Sequence, residues 1–230
     1  MNDGKRIRLT GQKLKIQFRD VEKKPYTYEV SIDDYLGEGS SCICYEVTVF
    51  KNSDSAGQKR VLKQFYPDPL IYEIQTDMQG MELHIKGYSE DCEYSEYPEL
   101  TDLGIGFEEA FQKQNELSNK KECADVIVRP DLCYFNGATK YVLYEADYGT
   151  SLDWEKITDL KDYIHKMYQL SCALEKLHGQ NLIYMDLKPA NILVAGNNEQ
   201  IKLLDFDSVL DLSRMGEIKA SDIRYVSDCP

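Results

Sequence analysis

Polar and apolar residues alternate along 13–18 (KLKIQF), as they do on a strand with one buried face. Residues 26–30 repeat that alternation, and a β-rich run covers 42–50. Between them lies an apolar, glycine-containing segment, Tyr35-Leu36-Gly37-Glu38-Gly39. Residues 52–57 (NSDSAG) read as a turn, and 60–65 (RVLKQF) as a short strand with one lysine inside it. Segments 71–75 and 82–86 suggest a hairpin around Met78-Gln79-Gly80, and the acidic, tyrosine-rich stretch 90–99 reads as a solvated loop. Helical spacing covers 107–120, with Phe107, Ala110, Phe111 and Leu117 on one side. Two buried strands, 126–128 and 141–144, are predicted on either side of the Asn136-Gly137 turn. A clear helical pattern covers 160–178, where Ile164, Met167, Ser171, Leu174 and Leu177 recur every three or four residues. Short apolar strands follow at 192–194 and 201–204.

The order is thus β-rich, then one helix, then helix-rich. It predicts a two-lobed α+β fold, residues 1–147 and 148–230, with the cleft between the lobes as the natural ligand site. At 230 residues and 42% hydrophobic content the chain can bury a sizeable core. Charge narrows the partners: 27 Lys+Arg against 40 Asp+Glu leave a net −13, a field that repels a phosphate backbone. No nucleic-acid partner is expected, and the acidic surface reads as solubility. The seven cysteines are odd in number and hold no C-x-x-C, so reduced thiols are expected, and the three histidines lack metal-ligand spacing with them. The first residues have no signal-peptide core and there is no 18-residue apolar run. A cytoplasmic protein with no membrane association is the expectation.

The chemistry is concentrated in Tyr184-Met185-Asp186-Leu187-Lys188-Pro189-Ala190-Asn191, between a helix and a strand. Asp205-Phe206-Asp207 follows 14 residues after Asn191, at the end of an apolar strand. Phosphoryl transfer needs positioned charges more than covalent help. Asp186, Asp205 and Asp207 would repel a triphosphate unless Mg²⁺ stood between, and Mg²⁺ prefers oxygen ligands. Asn191 adds a neutral oxygen, Lys188 a cation for the moving phosphoryl group, and Asp186 remains to orient a hydroxyl and accept its proton.

From about Tyr35 to Asp207 the sequence resembles the protein kinase superfamily. LIYMDLKPANILV is similar to its catalytic loop and LLDFDSV to its metal-binding segment, in the family's order. The resemblance implies a kinase-like fold with a β-rich N-lobe and a partial helical C-lobe, ATP and Mg²⁺ as cofactors, and a protein substrate. Lysine two residues after the aspartate implies the serine/threonine type. Leu36-Gly37-Glu38-Gly39-Ser40-Ser41-Cys42 matches the glycine-rich loop, with Cys42 in place of a third glycine, so Gly37 and Gly39 are implied to approach phosphates. Lys63 follows Gly39 by 24 residues and is implied to hold the α- and β-phosphates. Glu116 is the implied helix carboxylate for Lys63, with Glu109 in reserve. Residues 141–148 resemble the inner strand and hinge: Tyr144 as gatekeeper, and the backbone of Glu145 and Asp147 reading the adenine edge. Asp186 and Lys188 are then catalytic, Asn191 and Asp205 metal-binding.

Three departures stand out. Met185 replaces the arginine that in the family contacts a phosphorylated activation loop, which implies constitutive or partner-driven activity. Tyr184 replaces the usual histidine, and Asp207 the glycine after Asp205-Phe206. The sequence ends 23 residues after Asp207, so a further C-terminal region or a partner chain completing the C-lobe is expected. Two alternatives remain: a nucleotide-binding pseudokinase acting as a scaffold, and a small-molecule phosphotransferase of the aminoglycoside or choline type, whose members commonly lack the Lys188-Pro189 pair.

Overall fold

Alternation becomes a barrel in the first part of the chain. Strand β1 (Lys13–Arg19) buries Leu14, Ile16 and Phe18 and exposes the residues between them. It pairs antiparallel with β2 (Pro25–Glu38), which pairs with β3 (Cys42–Lys51), and that with β4 (Gln58–Phe65). Strands β5 (Ile74–Thr76) and β6 (Leu83–Ile85) form the expected small hairpin. Helix α1 (Pro98–Ser118) precedes β7 (Pro130–Asn136) and β8 (Thr139–Tyr144). Strand β8 pairs with β4, β7 with β8, and β1 meets β7 at Arg19 and Cys133, closing the barrel β1-β2-β3-β4-β8-β7. Then come β9 (Thr150–Ser151), α2 (Leu160–His178), β10 (Leu182–Tyr184), β11 (Ile192–Ala195), β12 (Gln200–Leu203) and β13 (Val209–Asp211). This computed structural model describes residues 6–51, 56–77, 81–145, 149–196 and 199–214. It divides into two compact units, residues 1–112 with 130–146, and residues 113–129 with 147–230.

In the first unit the aromatic side chains fasten α1 to the sheet. Phe107 packs on Phe65 and Phe135, with ring centroids 5.7 and 6.3 Å apart, and Phe111 packs edge-on to Phe135 at 5.8 Å. Helix α1 begins nine residues before the predicted start at 107, with proline at its first position, where the missing N–H costs nothing. Gly104 and Gly106 had masked this turn of helix. Gly104 is there for space: a Cβ would stand 2.8 Å from the Tyr88 hydroxyl.

The second unit corrects two expectations. Residues 126–128 are buried but form no hairpin with 141–144; the strand across the Asn136-Gly137 turn is β7. Instead Val128 N–H donates to the Leu203 carbonyl at 3.0 Å and Leu203 N–H to that of Val126 at 2.8 Å, a single parallel bridge to β12. Helix α2 has the predicted span, capped by Asp159, whose carboxylate accepts from Lys161 N–H. Its buried face is Lys166, Leu170, Ala173 and Leu177, whereas Ile164 is 59% exposed and Met167 and Tyr168 also face solvent. The apolar stripe at three-to-four spacing is therefore mostly the outer one. Lys166, 3% exposed, sits on the inner face because its ammonium reaches the Glu199 carbonyl at 2.8 Å and its carboxylate at 2.9 Å.

Two small sheets complete this unit: β12-β11-β9, and β10 with β13. Among the described residues the six cysteines are all free thiols, and no helix is long and apolar enough to cross a membrane.

Candidate active site

In the first unit the pairing of β2 with β3 slips between Ile32 and Asp34 and again between Tyr35 and Gly37. Such irregularities bend a strand and re-aim its end. The chain then turns: Gly39 N–H donates to the Cys42 carbonyl at 2.9 Å. A Cβ on Gly37 would meet nothing within 4 Å, so packing inside the unit does not demand glycine there. What glycine leaves is open space beside the backbone, as a ligand approaching closely requires. A cavity of about 940 Å³ adjoins the turn, lined by Arg6, Arg8, Ser40, Ser41 and Tyr72 among others.

Lys63 is no edge-strand lysine. It lies on β4 between β3 and β8, opposite Cys44 and Val142, and is only 7% exposed. Its ammonium stands 5.4 Å from the centre of the Phe107 ring, within cation–π range. The neighbouring Gln64 points to the other face of the sheet. There Tyr45 donates to Gln64 Oε1 at 3.4 Å, Gln64 Nε2 to the Tyr141 hydroxyl at 3.3 Å, and Tyr141 to the Met81 carbonyl at 2.5 Å. This buried polar chain fixes the register of the strand that carries Lys63. Burial pushes the Tyr45 phenol up to about 12 and that of Tyr141 higher still, so both remain protonated donors.

Of the helix carboxylates, Glu116 is exposed and forms a salt bridge to Lys120 at 2.9 Å, one turn on, while Glu109 is exposed. Glu108 instead pairs with Lys140 of β8, whose ammonium is almost wholly buried. Glu145 follows β8 directly and is exposed; Asp147 lies outside the described residues.

In the second unit three polar residues of one short loop converge. Asn191 Nδ2 donates to the Asp186 carbonyl at 3.0 Å and to Asp186 Oδ2 at 2.7 Å. Lys188 Nζ lies 2.8 Å from the same Oδ2. Pro189 starts a tight helical turn through Asn191, which folds the loop back so that residues five apart touch. Asn191 is 4% exposed.

The residue before Asp205 is tied to this loop: Leu204 N–H donates to the Asn191 carbonyl at 3.1 Å. Asp205 itself has φ +63°, a left-handed conformation that costs a non-glycine residue energy. The structure puts the left-handed residue at Asp205, where the sequence had drawn attention to Asp207. Tyr184 holds the turn. It is buried, its hydroxyl donates to the Leu204 carbonyl, and its ring meets Phe206 edge-on at 5.6 Å. Sequence reading noted Tyr184 only as a replacement; its signal was its place two residues before Asp186.

Oxygen donors suit a hard cation. With its amide nitrogen committed to Asp186, Asn191 keeps its Oδ1 oxygen as a candidate donor. Among the described residues no three His, Cys, Asp or Glu side chains gather as a complete metal cage. Two protein oxygens are what Mg²⁺ takes when water and phosphate fill its remaining positions.

The family model described as "Protein kinase domain" matches residues 116–226. This match, with relatives that are named as kinases, supports kinship of this part of the chain with the protein kinase superfamily. The kinase match contains Glu116, Asp186, Lys188, Asn191 and Asp205, whereas Gly37, Gly39 and Lys63 precede it. The chain is 37% identical over 65 residues to the membrane-associated tyrosine- and threonine-specific cdc2-inhibitory kinase of Drosophila melanogaster, covering 27% of this chain and 12% of that kinase. It is 28% identical over 116 residues to the serine/threonine-protein kinase sid1 of Schizosaccharomyces pombe, covering 49% and 25%. It is 51% identical over 45 residues to the Aurora kinase of Saccharomyces cerevisiae, covering 20% and 11%. The chain thus spans a quarter or less of the length of these kinases. Their shared kinase chemistry fits the β-rich first unit and the two-helix content seen here as a partial kinase fold.

Proposed function

We propose that the protein transfers the terminal phosphoryl group of ATP, with Mg²⁺, to serine or threonine hydroxyls of protein substrates. The first unit is assigned the role of an N-lobe and the second that of a partial C-lobe. The observation that carries the reading is the Asp186-Lys188-Asn191 cluster. One carboxylate oxygen is held by an amide and an ammonium, so its direction is fixed before any substrate arrives. Asp186 is assigned to orient the hydroxyl and take its proton, and Lys188 to balance negative charge on the moving group. Asn191 and Asp205 are assigned to Mg²⁺, which when bound neutralises the phosphate oxygens. Lys63 and the turn at Gly37 and Gly39 are assigned to the phosphates, and the backbone at Glu145 and Asp147 to the adenine edge. Lys188-Pro189 and the names of relatives such as serine/threonine-protein kinase sid1 support the serine/threonine type.

The test is transfer of labelled phosphate from ATP to protein substrates, the protein itself included, with and without Mg²⁺. Labelling is expected to vanish in Asp186→Ala and Lys63→Met. A protein that binds Mg-ATP but labels nothing, or whose turnover ignores Asp186→Ala, would favour the scaffold reading instead.

A further inference from the structure

The segment before β1 straps across the barrel. Leu9 is completely buried, and its N–H donates to the Tyr45 hydroxyl at 3.3 Å; Ile7 N–H donates to the Tyr66 hydroxyl at 3.3 Å. Gly11 N–H donates to the Ile32 carbonyl at 2.8 Å, and Ile32 N–H to that of Gln12 at 2.9 Å. These anchors leave two arginines pointing at the glycine turn and its approach. Arg8 stacks on the Tyr35 ring, 3.8 Å from its centre, where β2 enters the turn. Arg6 reaches the turn itself: Nη1 donates to the Gly39 carbonyl at 2.6 Å and Nη2 to the Ser40 carbonyl.

We infer that Arg6 is a positioning residue that pre-orients the glycine turn to receive an anionic, phosphate-bearing ligand. In a trans peptide the carbonyl and the next N–H point in opposite directions. By drawing the carbonyls of Gly39 and Ser40 to one side, the guanidinium turns the N–H groups of Ser40 and Ser41 to the other. Among the described residues neither N–H meets a protein acceptor. Two successive N–H groups aimed the same way form a concavity suited to an anion. The fork of Arg6 also cancels the partial negative charge of the two carbonyls, which would repel phosphate if the turn rotated. A lysine offers a single nitrogen and cannot hold both carbonyls in this geometry.

The inference rests on the phosphate-holding role proposed for the turn. It is tested by titrating tripolyphosphate, and separately adenosine, into the isotope-labelled protein while following the Ser40 and Ser41 amide resonances. Both amides are expected to shift with tripolyphosphate and not with adenosine. In Arg6→Ala the same end-point should need about tenfold more tripolyphosphate, equivalent to one decade in affinity. Arg6→Lys should fall between, and the barrel resonances should be unchanged in either variant. An identical titration in Arg6→Ala, or silent Ser40 and Ser41 amides in the unsubstituted protein, would overturn the inference. If these amides respond as expected but no phosphoryl transfer is detected, the kinase reading fails while this one stands.

Discussion

Asn191 grips Asp186 twice, at the main-chain carbonyl and at one carboxylate oxygen, 3.0 and 2.7 Å away. In Asn191→Ala the carboxylate keeps, among the described residues of this loop, Lys188 as its partner and can swing with that flexible side chain. Transfer is expected to fall on the order of 10²-fold, the scale of one positioned acid–base group. Because Asn191 is buried, unfolding free energy should drop too, by about 1–3 kcal/mol. Steady-state labelling and urea denaturation of the same variant check both. A variant with unchanged turnover would show that Asp186 needs no such orientation.

Lys113 of α1 bonds Asp211 of β13 at 2.5 Å, and Ser213 donates to the other oxygen at 2.5 Å. These bonds, Lys113 first, hold the Asp211 carboxyl down to about 2, against 3.8 ordinarily. The folded value is the lower one, so the pair's contribution is present above pH about 4, the unfolded value, and is lost as pH falls toward 2. The pair is mostly but not wholly shielded, so about 1 kcal/mol is at stake. Asp211→Asn should lower stability at pH 6 and match the parent at pH 2. Equal stability of the two at pH 6 would remove the pair from the account.

Helix α2 separates pattern from burial. Ile164→Ala should change stability by no more than about 0.5 kcal/mol, as exposed substitutions do. Leu177→Ala, at a fully buried position, should cost about 2–5 kcal/mol. Thermal or urea unfolding of the two variants decides which face is the core. A large loss at Ile164 would restore the face that spacing alone suggested.

What could be read from the chain depended on how local the physics is. The strand at β1 was legible because one of its faces is buried and the other wet. The Asp186-to-Asn191 loop was legible because its interacting groups lie within five residues. Helix α2 had a legible span, since capping and propensity are local, but an illegible inner face: Lys166 is buried only because Glu199, 33 residues on, receives it. The segment 126–128 looked like a hairpin strand because apolar β-branched residues suit any buried extended backbone; its partner is Leu203, far along the chain. Arg6 carried no signal at all, since its carbonyl acceptors lie 33 and 34 residues away. The Glu108–Lys140 pair was illegible for the same reason: the two residues lie 32 apart.

Glu108 and Lys140 form an ion pair between α1 and β8. Lys140 is 1% exposed, on β8 beside Gly104 of α1, and Glu108 is the carboxylate its ammonium meets. Glu90, 4.0 Å away and largely exposed, offers little in its place. Glu108→Leu would strand a buried ammonium and should cost about 3 kcal/mol, whereas removing both charges in Glu108→Leu with Lys140→Met should recover most of that loss. Chemical denaturation of the single and double variants measures the coupling. Additive losses would mean that the two charges stabilise the unit independently; recovery in the double variant means that burial of Lys140 is tolerated only because Glu108 is there. That dependence would also explain why α1 presents glycine at position 104: the helix must lie close enough for Glu108, one turn on, to reach the strand.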